Sequence, residues 1–271
     1  MPEDTTKTSA RAPLAPVSSG YADVNGIRLY HEIYGHGEPL VLLHGGLMTI
    51  GEMVTLLEPL AKTHKVIAVE LQGHGRTADT DRPLSFETMG DDITALLNQL
   101  NISKAHIVGL SLGAAVGLRT AIQHPEKVSR LVVISSPYAK SGWYPEAQEG
   151  MGQVSAAMAD NMMQTPTGKF SNQWPEPQRF PQFLDKMGKM MGASYDWSAD
   201  VKKLPMPVML VFADNDSILQ QHIAEFFALL RRRHEGAGLA EHPAVEGAAR
   251  DRARLQPLQL RERTRTYADH R

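Results

Sequence analysis

A serine bracketed by glycines two residues to either side, Gly109-Leu110-Ser111-Leu112-Gly113, constrains this chain more than any other stretch. Ahead of it, the apolar run Ala105-His106-Ile107-Val108, flanked by polar Ser103-Lys104, reads as a buried parallel strand. Behind it, Leu112 to His124 places Ala114, Ala115, Leu118, Ala121 and Ile122 on one helical face that stops at Pro125. A serine on so sharp a strand-to-helix turn has a strained backbone, tolerable only where strand and helix pass close together, and glycine at both flanks permits that approach. The side chain is pushed out at the carboxyl end of the sheet, beside free helix N–H groups that favour a developing negative charge. The plainer alternative is a small-residue turn carrying an ordinary serine.

The rest of the chain alternates strands with helices. Tyr21 to Tyr34 alternates around Asn25-Gly26, the dipeptide that most favours a tight hairpin, so an antiparallel pair is expected to open the fold. Leu40 to Leu43 is a buried strand running into His44-Gly45-Gly46, Glu52 to Ala61 is helical, and Lys65 to Leu71 is the next strand. Ser85 caps a helix to Leu100, and Val128 to Ile134 makes the strand after the serine's own helix. From Tyr138 to about Asp200 no apolar strand appears, and seven of the thirteen methionines gather there: Met151, Met158, Met162, Met163, Met187, Met190 and Met191. With Trp143, Tyr144, Phe170, Trp174, Phe180, Phe183 and Trp197 they suit either an adaptable apolar pocket or the insertion's own core. Val208 to Phe212 is a further strand, followed by Ala213-Asp214-Asn215-Asp216 and a helix from Ile218 to Leu230.

Composition bounds the function classes. In 271 residues with 42% hydrophobic content the chain can bury one large core, and one catalytic domain with an insertion is the simplest organisation. A net charge of -2 points away from nucleic acid and from an anionic membrane surface as partners. Without cysteine there is no disulfide framework and no thiolate metal site, and no metal or cofactor is expected. Residues 1–20 balance Glu3 and Asp4 against Lys7 and Arg11 and lack an apolar core, so they read as a disordered leader rather than a secretory signal. With no run of membrane-spanning length either, a cytoplasmic location is expected.

These features together resemble the α/β-hydrolase superfamily, over roughly Tyr21 to Leu230. The resemblance implies a mostly parallel central sheet with helices on both faces and a helical lid at 138–200. It makes Ser111 the nucleophile and gives the oxyanion-hole N–H groups to Gly46 and Leu112. Gln72-Gly-His-Gly-Arg-Thr77 matches the family's Asp-x-x-Gly-x-Gly-x-Ser turn, with Glu70 where an aspartate is usual and Thr77 in place of serine, so His74 is a turn residue rather than a base. Asp216 is the acid by resemblance, with Asp214 as runner-up. Taken without the family, both aspartates suit helix capping equally. The implied activity is hydrolysis of an ester or related acyl bond in a small apolar substrate. Serine at this turn disfavours the dehalogenase and epoxide-hydrolase branches. A non-catalytic binding protein on the same fold is the competing class.

After Leu230 the pattern breaks. The last stretch holds ten of the seventeen arginines and none of the eleven lysines, and Tyr267 is its one aromatic residue. It contains no apolar run of the kind a buried strand requires. One extra base in the reading frame near Arg231 accounts for this. Shifted back by one base, Ala249 to Arg254 permits Leu-Ala-Ile-Val-Pro-Gly and Leu255 to Gln259 permits Tyr-Ser-His-Tyr-Asn, an apolar strand followed by a histidine turn at position 257. The alternative is a genuine Arg/Ala-rich tail. On the shifted reading the histidine that the resemblance requires falls where this chain has Pro257, and the tail's own His234, His242 and His270 follow no apolar strand.

Overall fold

In the computed structural model, residues 14–165 and 174–231 are described; Phe170, the residues before Leu14 and the stretch from 232 to 271 lie outside them. Asn25 and Gly26 both take positive φ, 44° and 82°, and turn β1 (Ser18–Val24) back against β2 (Ile27–Tyr34) with Val24 opposite Ile27. The strand starts at Ser18, inside the stretch expected to be a leader. Ser18, Ser19 and Gly20 pair with Ile33, Glu32 and His31, and ladder hydrogen bonds need no apolar side chain.

Beyond the hairpin, β3 (Glu38–Leu43), β4 (His64–Val69), β5 (Ala105–Leu110), β6 (Val128–Ile134) and β7 (Val208–Val211) complete a seven-stranded sheet ordered β1-β2-β4-β3-β5-β6-β7. β2 pairs antiparallel with β4, and every later pairing is parallel. Side chains alternate between two covered faces. Val41, Leu43, Ile67 and Val69 enter one core, and Leu40, Leu42, Val66 and Ala68 the other. This is why these strands read as continuous apolar runs rather than alternating ones.

Helix α1 (Val54–Leu60), preceded by a 3-10 turn at Ile50–Met53, packs Met53 and Leu57 on the second face. Helices α2 (Phe86–Gln99) and α3 (Leu112–Gln123) cover the first. The Ser85 side chain accepts the Thr88 N–H at 3.1 Å, which fixes where α2 starts. α3 gives way to Pro125, whose ring forbids a further helical turn.

Between β6 and β7 the chain is helical, with α4 (Pro145–Gly152), α5 (Ala159–Met163), α6 (Phe180–Gly192) and α7 (Ser198–Val201). After β7, α8 (Gln220–Arg231) begins two residues later than the sequence predicts, because Ile218 is held in a bridge to Trp143. Among the described residues β7 is an edge strand, and its Met209 is 61% exposed.

Candidate active site

Ser111 sits where β5 hands over to α3, with φ 49° and ψ -111°, a conformation that costs an L-residue energy and must be enforced by its surroundings. Its N–H donates to Ile134 O at 2.8 Å on β6, and its carbonyl accepts the Ala115 N–H at 3.0 Å, the first bond of the helix. The glycines are needed where the sequence places them. A Cβ on Gly109 would lie 2.3 Å from Gly113 O, and one on Gly113 would lie 2.5 Å from the carbonyl oxygens of both Leu43 and His44. Backbone meets backbone at both points, so no side chain can give way.

Gly46, in the loop after β3, is a neighbour of the residue following the serine: a Cβ built on it would lie 3.8 Å from Leu112 Cβ. Among the described residues no hydrogen bond uses the N–H of Gly46 or of Leu112. Gly46 is not forced by space, since the contacts of an added methyl would be ordinary ones.

His44 supports this loop. Its Nδ1 donates to Gly45 O at 2.7 Å and its Nε2 accepts the Leu71 N–H at 3.1 Å, so both nitrogens are engaged and the tautomer is set. Burial pushes its pKa down. His74 donates from Nδ1 to Gln72 O at 3.0 Å, with its ring 4.9 Å from that of His44 and 5.1 Å from that of Phe183. Burial holds its pKa down at about 3, so His74 is a neutral turn residue. The turn is tied by Arg76, which donates to Glu70 through Nε and Nη2 at 3.0 and 2.7 Å, and to Glu32 at 2.7 Å. Thr77 donates its hydroxyl to Glu70 O at 2.6 Å and accepts the Tyr30 N–H at 2.9 Å.

The two aspartates after β7 are placed differently. Asp216 accepts the Ala213 N–H at 2.9 Å and the Ser135 hydroxyl, whereas Asp214 is exposed. Ser135 directly follows Ile134, the acceptor of the Ser111 N–H, so the residue that holds Asp216 adjoins the one that holds the serine turn.

Above Ser111 lies a cavity of about 150 Å³. Gly46, Leu112, Met151, Met187, Met191 and Trp143 line it, as the methionine-rich composition of the insertion suggests. Leu47, Phe86, Ser136, Val154 and Tyr195 also line it, and none of these is singled out by a sequence pattern. Phe180, Phe183 and Trp197 are buried in the core instead, Trp174 packs edge-on against Phe180 and Phe183, and Tyr144 is exposed. Among the described residues neither a charged group nor an imidazole lines the cavity. No described group of three or more His, Asp or Glu side chains is arranged to hold a metal ion, and no described helix is long and apolar enough to cross a membrane. Position 257 and the histidines at 234, 242 and 270 lie outside the described residues.

Comparison with known proteins agrees with this architecture. A model of the alpha/beta hydrolase fold matches residues 38–221. The dihydrolipoyllysine-residue acetyltransferase component of the acetoin cleaving system of Pseudomonas putida is 37% identical over 117 residues, 42% of this chain and 32% of that protein. The sn-1-specific diacylglycerol lipase ABHD11 of Danio rerio is 32% identical over 113 residues, 40% of this chain and 35% of that protein. The chain thus spans about a third of the length of these two relatives. The carboxylesterase CesB (YbfK) from Bacillus subtilis superposes with a TM-score of 0.63 at 19% identity, over 80% of this chain and 81% of that one, a likeness of fold.

Proposed function

Because this chain belongs to the alpha/beta hydrolase fold family, we propose that it is built to hydrolyse an ester or related acyl bond of a small apolar substrate, with Ser111 as nucleophile. The observation that carries the proposal is the strained Ser111 turn opening into an apolar cavity beside two backbone N–H groups without acceptors among the described residues. Ser111 Oγ attacks the acyl carbon while the hydroxyl proton passes to a base, and the carbonyl oxygen becomes an oxyanion. The Gly46 and Leu112 N–H groups receive that oxyanion, and such donors are worth on the order of 10²–10³ in rate each. Collapse breaks the bond to the alkoxy leaving group, which takes the proton from the base. Water then attacks the acyl-enzyme, one of its protons passing through the same base as Ser111 Oγ is released. Asp216 would orient the base and stabilise its cation. The helical segment from α4 to α7 acts as the lid that shapes the acyl pocket.

The base is the weak point. His44 spends both nitrogens on the loop, His74 is held neutral, and neither lines the cavity. The one-base-shifted tail would supply that base as a histidine at position 257, where this chain has Pro257. Without it a serine hydrolase keeps only what binding and the oxyanion hole supply, on the order of 10³–10⁴ over the uncatalysed reaction. The absence of an imidazole from the described lining also favours a second reading, a binding protein on a hydrolase fold. Turnover of short-chain aryl esters, compared between this chain and its Ser111→Ala variant, separates the two. Hydrolysis lost on substitution supports the enzyme, and ligand binding with no Ser111-dependent turnover supports the binding protein.

A further inference from the structure

A second cavity, of about 420 Å³, shares two lining residues with the one above Ser111, and both are aromatic: Phe86 and Tyr195. The rings are in contact, with centroids 5.4 Å apart and planes tilted by 60°. The two cavities therefore adjoin at this ring pair. We propose that Phe86 and Tyr195 form the partition that ends the acyl pocket, and that Phe86 sets the longest acyl chain the site takes.

The two rings are not equally secured. The hydroxyl of Tyr195 accepts the Trp143 indole N–H at 3.1 Å, its ring packs on Trp197 at 4.6 Å, and its carbonyl accepts the Lys140 N–H at 2.9 Å. Phe86 has no polar anchor. It is the first residue of α2, half-buried, and meets only the edge-on ring of Trp197 at 5.4 Å besides Tyr195 among its aromatic contacts. Shortening Phe86 thus opens the partition while the Tyr195 side stays in place.

The chambers differ in chemistry. The one over Ser111 has no charged lining among the described residues, so the acyl part that fits it is neutral and apolar. The one beyond the rings mixes Leu84, Met190 and Ala193 with the charged Asp81, Glu87, Lys186 and Lys189. A chain that passes the rings still meets apolar groups there, Leu84, Met190 and Ala193. Each methylene that stays buried tightens binding about fourfold, and the gain ends where the chain meets a wall.

The proposal rests on the hydrolase reading only for the choice of ligands. Methyl ketones of increasing alkyl length mimic the acyl chain without being hydrolysed, and quenching of tryptophan fluorescence reports their binding, since Trp143 lines the chamber. The full-length chain should bind them progressively tighter up to a break point and no tighter beyond it. In Phe86→Ala the break point should move to longer chains, with about a fourfold gain for each methylene added past the original limit. Phe86→Leu, which keeps an apolar side chain and guards against a folding failure of the alanine variant, should fall between. The same ladder of p-nitrophenyl esters gives the turnover arm. A shifted break point with no Ser111-dependent turnover leaves the partition standing and removes the hydrolase. Ser111-dependent turnover with one break point in all three proteins does the reverse. Ketone binding without chain-length dependence in the unmodified protein also overturns the partition.

Discussion

The hydroxyl of Ser135 donates to the carboxylate of Asp216, lying 3.1 and 3.0 Å from its two oxygens. Ser135 takes a φ of 54° to do so, and its N–H donates to Val211 O at 3.0 Å, which locks the end of β6 to the end of β7. The preceding carbonyl, Ile134 O, accepts the Ser111 N–H. Asp216 and Ser111 are thus held by consecutive residues, Ser135 and Ile134, at the end of β6, and a shift of that end displaces both.

This arrangement separates a working acid from a structural one. An aspartate acting through an imidazole contributes nothing to turnover when the imidazole is missing. Asp216→Asn should therefore change ester turnover of this chain by no more than about twofold. In a version carrying the one-base-shifted tail it should cost on the order of 10⁴-fold in kcat, the loss typical of the wrong histidine tautomer. Paired kcat measurements on the four proteins check this. Equal losses in both backgrounds would assign Asp216 to the fold alone.

The glycines make a prediction about stability. At Gly109 and Gly113 an added Cβ meets backbone atoms at 2.3 to 2.5 Å, so alanine should cost about 3 kcal/mol, the top of the range for overpacked sites, or prevent folding. At Gly46 the added carbon meets Met187 Cε at 3.5 Å and Leu112 Cβ at 3.8 Å, so Gly46→Ala should leave the urea midpoint nearly unchanged. Urea unfolding of the three variants is the measurement. A Gly113→Ala protein as stable as the parent would mean that strand and helix do not approach as described.

The sequence reveals those glycines because their constraint is local and steric, and the strands because both faces of the sheet are buried. It leaves Asp214 and Asp216 open, since both follow the same strand. The bend that exposes one and turns the other to Ser135 is a property of the loop's conformation. The pocket wall is the least legible part. Leu47, Phe86, Ser136 and Tyr195 come from four separate segments, and each has an ordinary local explanation. Phe86 is simply the first residue of a well-capped helix until the tertiary fold sets it against Tyr195. Leu47 even takes a φ of 59°, which nothing in its side chain announces.

Buried imidazoles give a pH dependence with a definite sign. His31, His44, His74 and His222 all have pKa values pushed down, with burial the leading cause in each. Their unfolded value is near 6.5, so above that pH folded and unfolded chains are both neutral at these sites and stability is at its full level. As pH falls below 6.5 the unfolded chain takes up protons that the folded chain refuses. Each such group then removes up to about 1.4 kcal/mol per pH unit until its own folded pKa is reached, which for His74 is about 3. The urea midpoint should hold level above about pH 6.5 and fall from there to pH 5, less steeply in His74→Phe. A midpoint that holds constant over this range would contradict the neutral, buried state of these rings.

The final prediction concerns the outer side of β7, where the described sheet is left open. No described strand pairs with β7 on that side, so among the described residues its backbone groups form an open edge. The face shared with α1 is also incompletely covered there: Leu110, Val132 and Ile134 are only half-buried and Met209 is exposed, whereas Leu40, Leu42 and Val66 on the same face are fully buried. The one-base-shifted reading of the residues from Arg231 onward offers an apolar strand to pair this edge as an eighth. Replacing those residues by the shifted reading should pair the β7 edge, bury Met209 and set a histidine at position 257 within reach of Asp216. The replaced protein should give a higher soluble yield, stay monodisperse to higher concentrations than the present chain, and gain ester turnover by several orders of magnitude. Soluble expression, light scattering and aryl-ester turnover of the two proteins side by side provide the measurement. Equal solubility and equal activity would show that the Arg/Ala-rich tail is authentic and that the β7 edge needs no eighth strand.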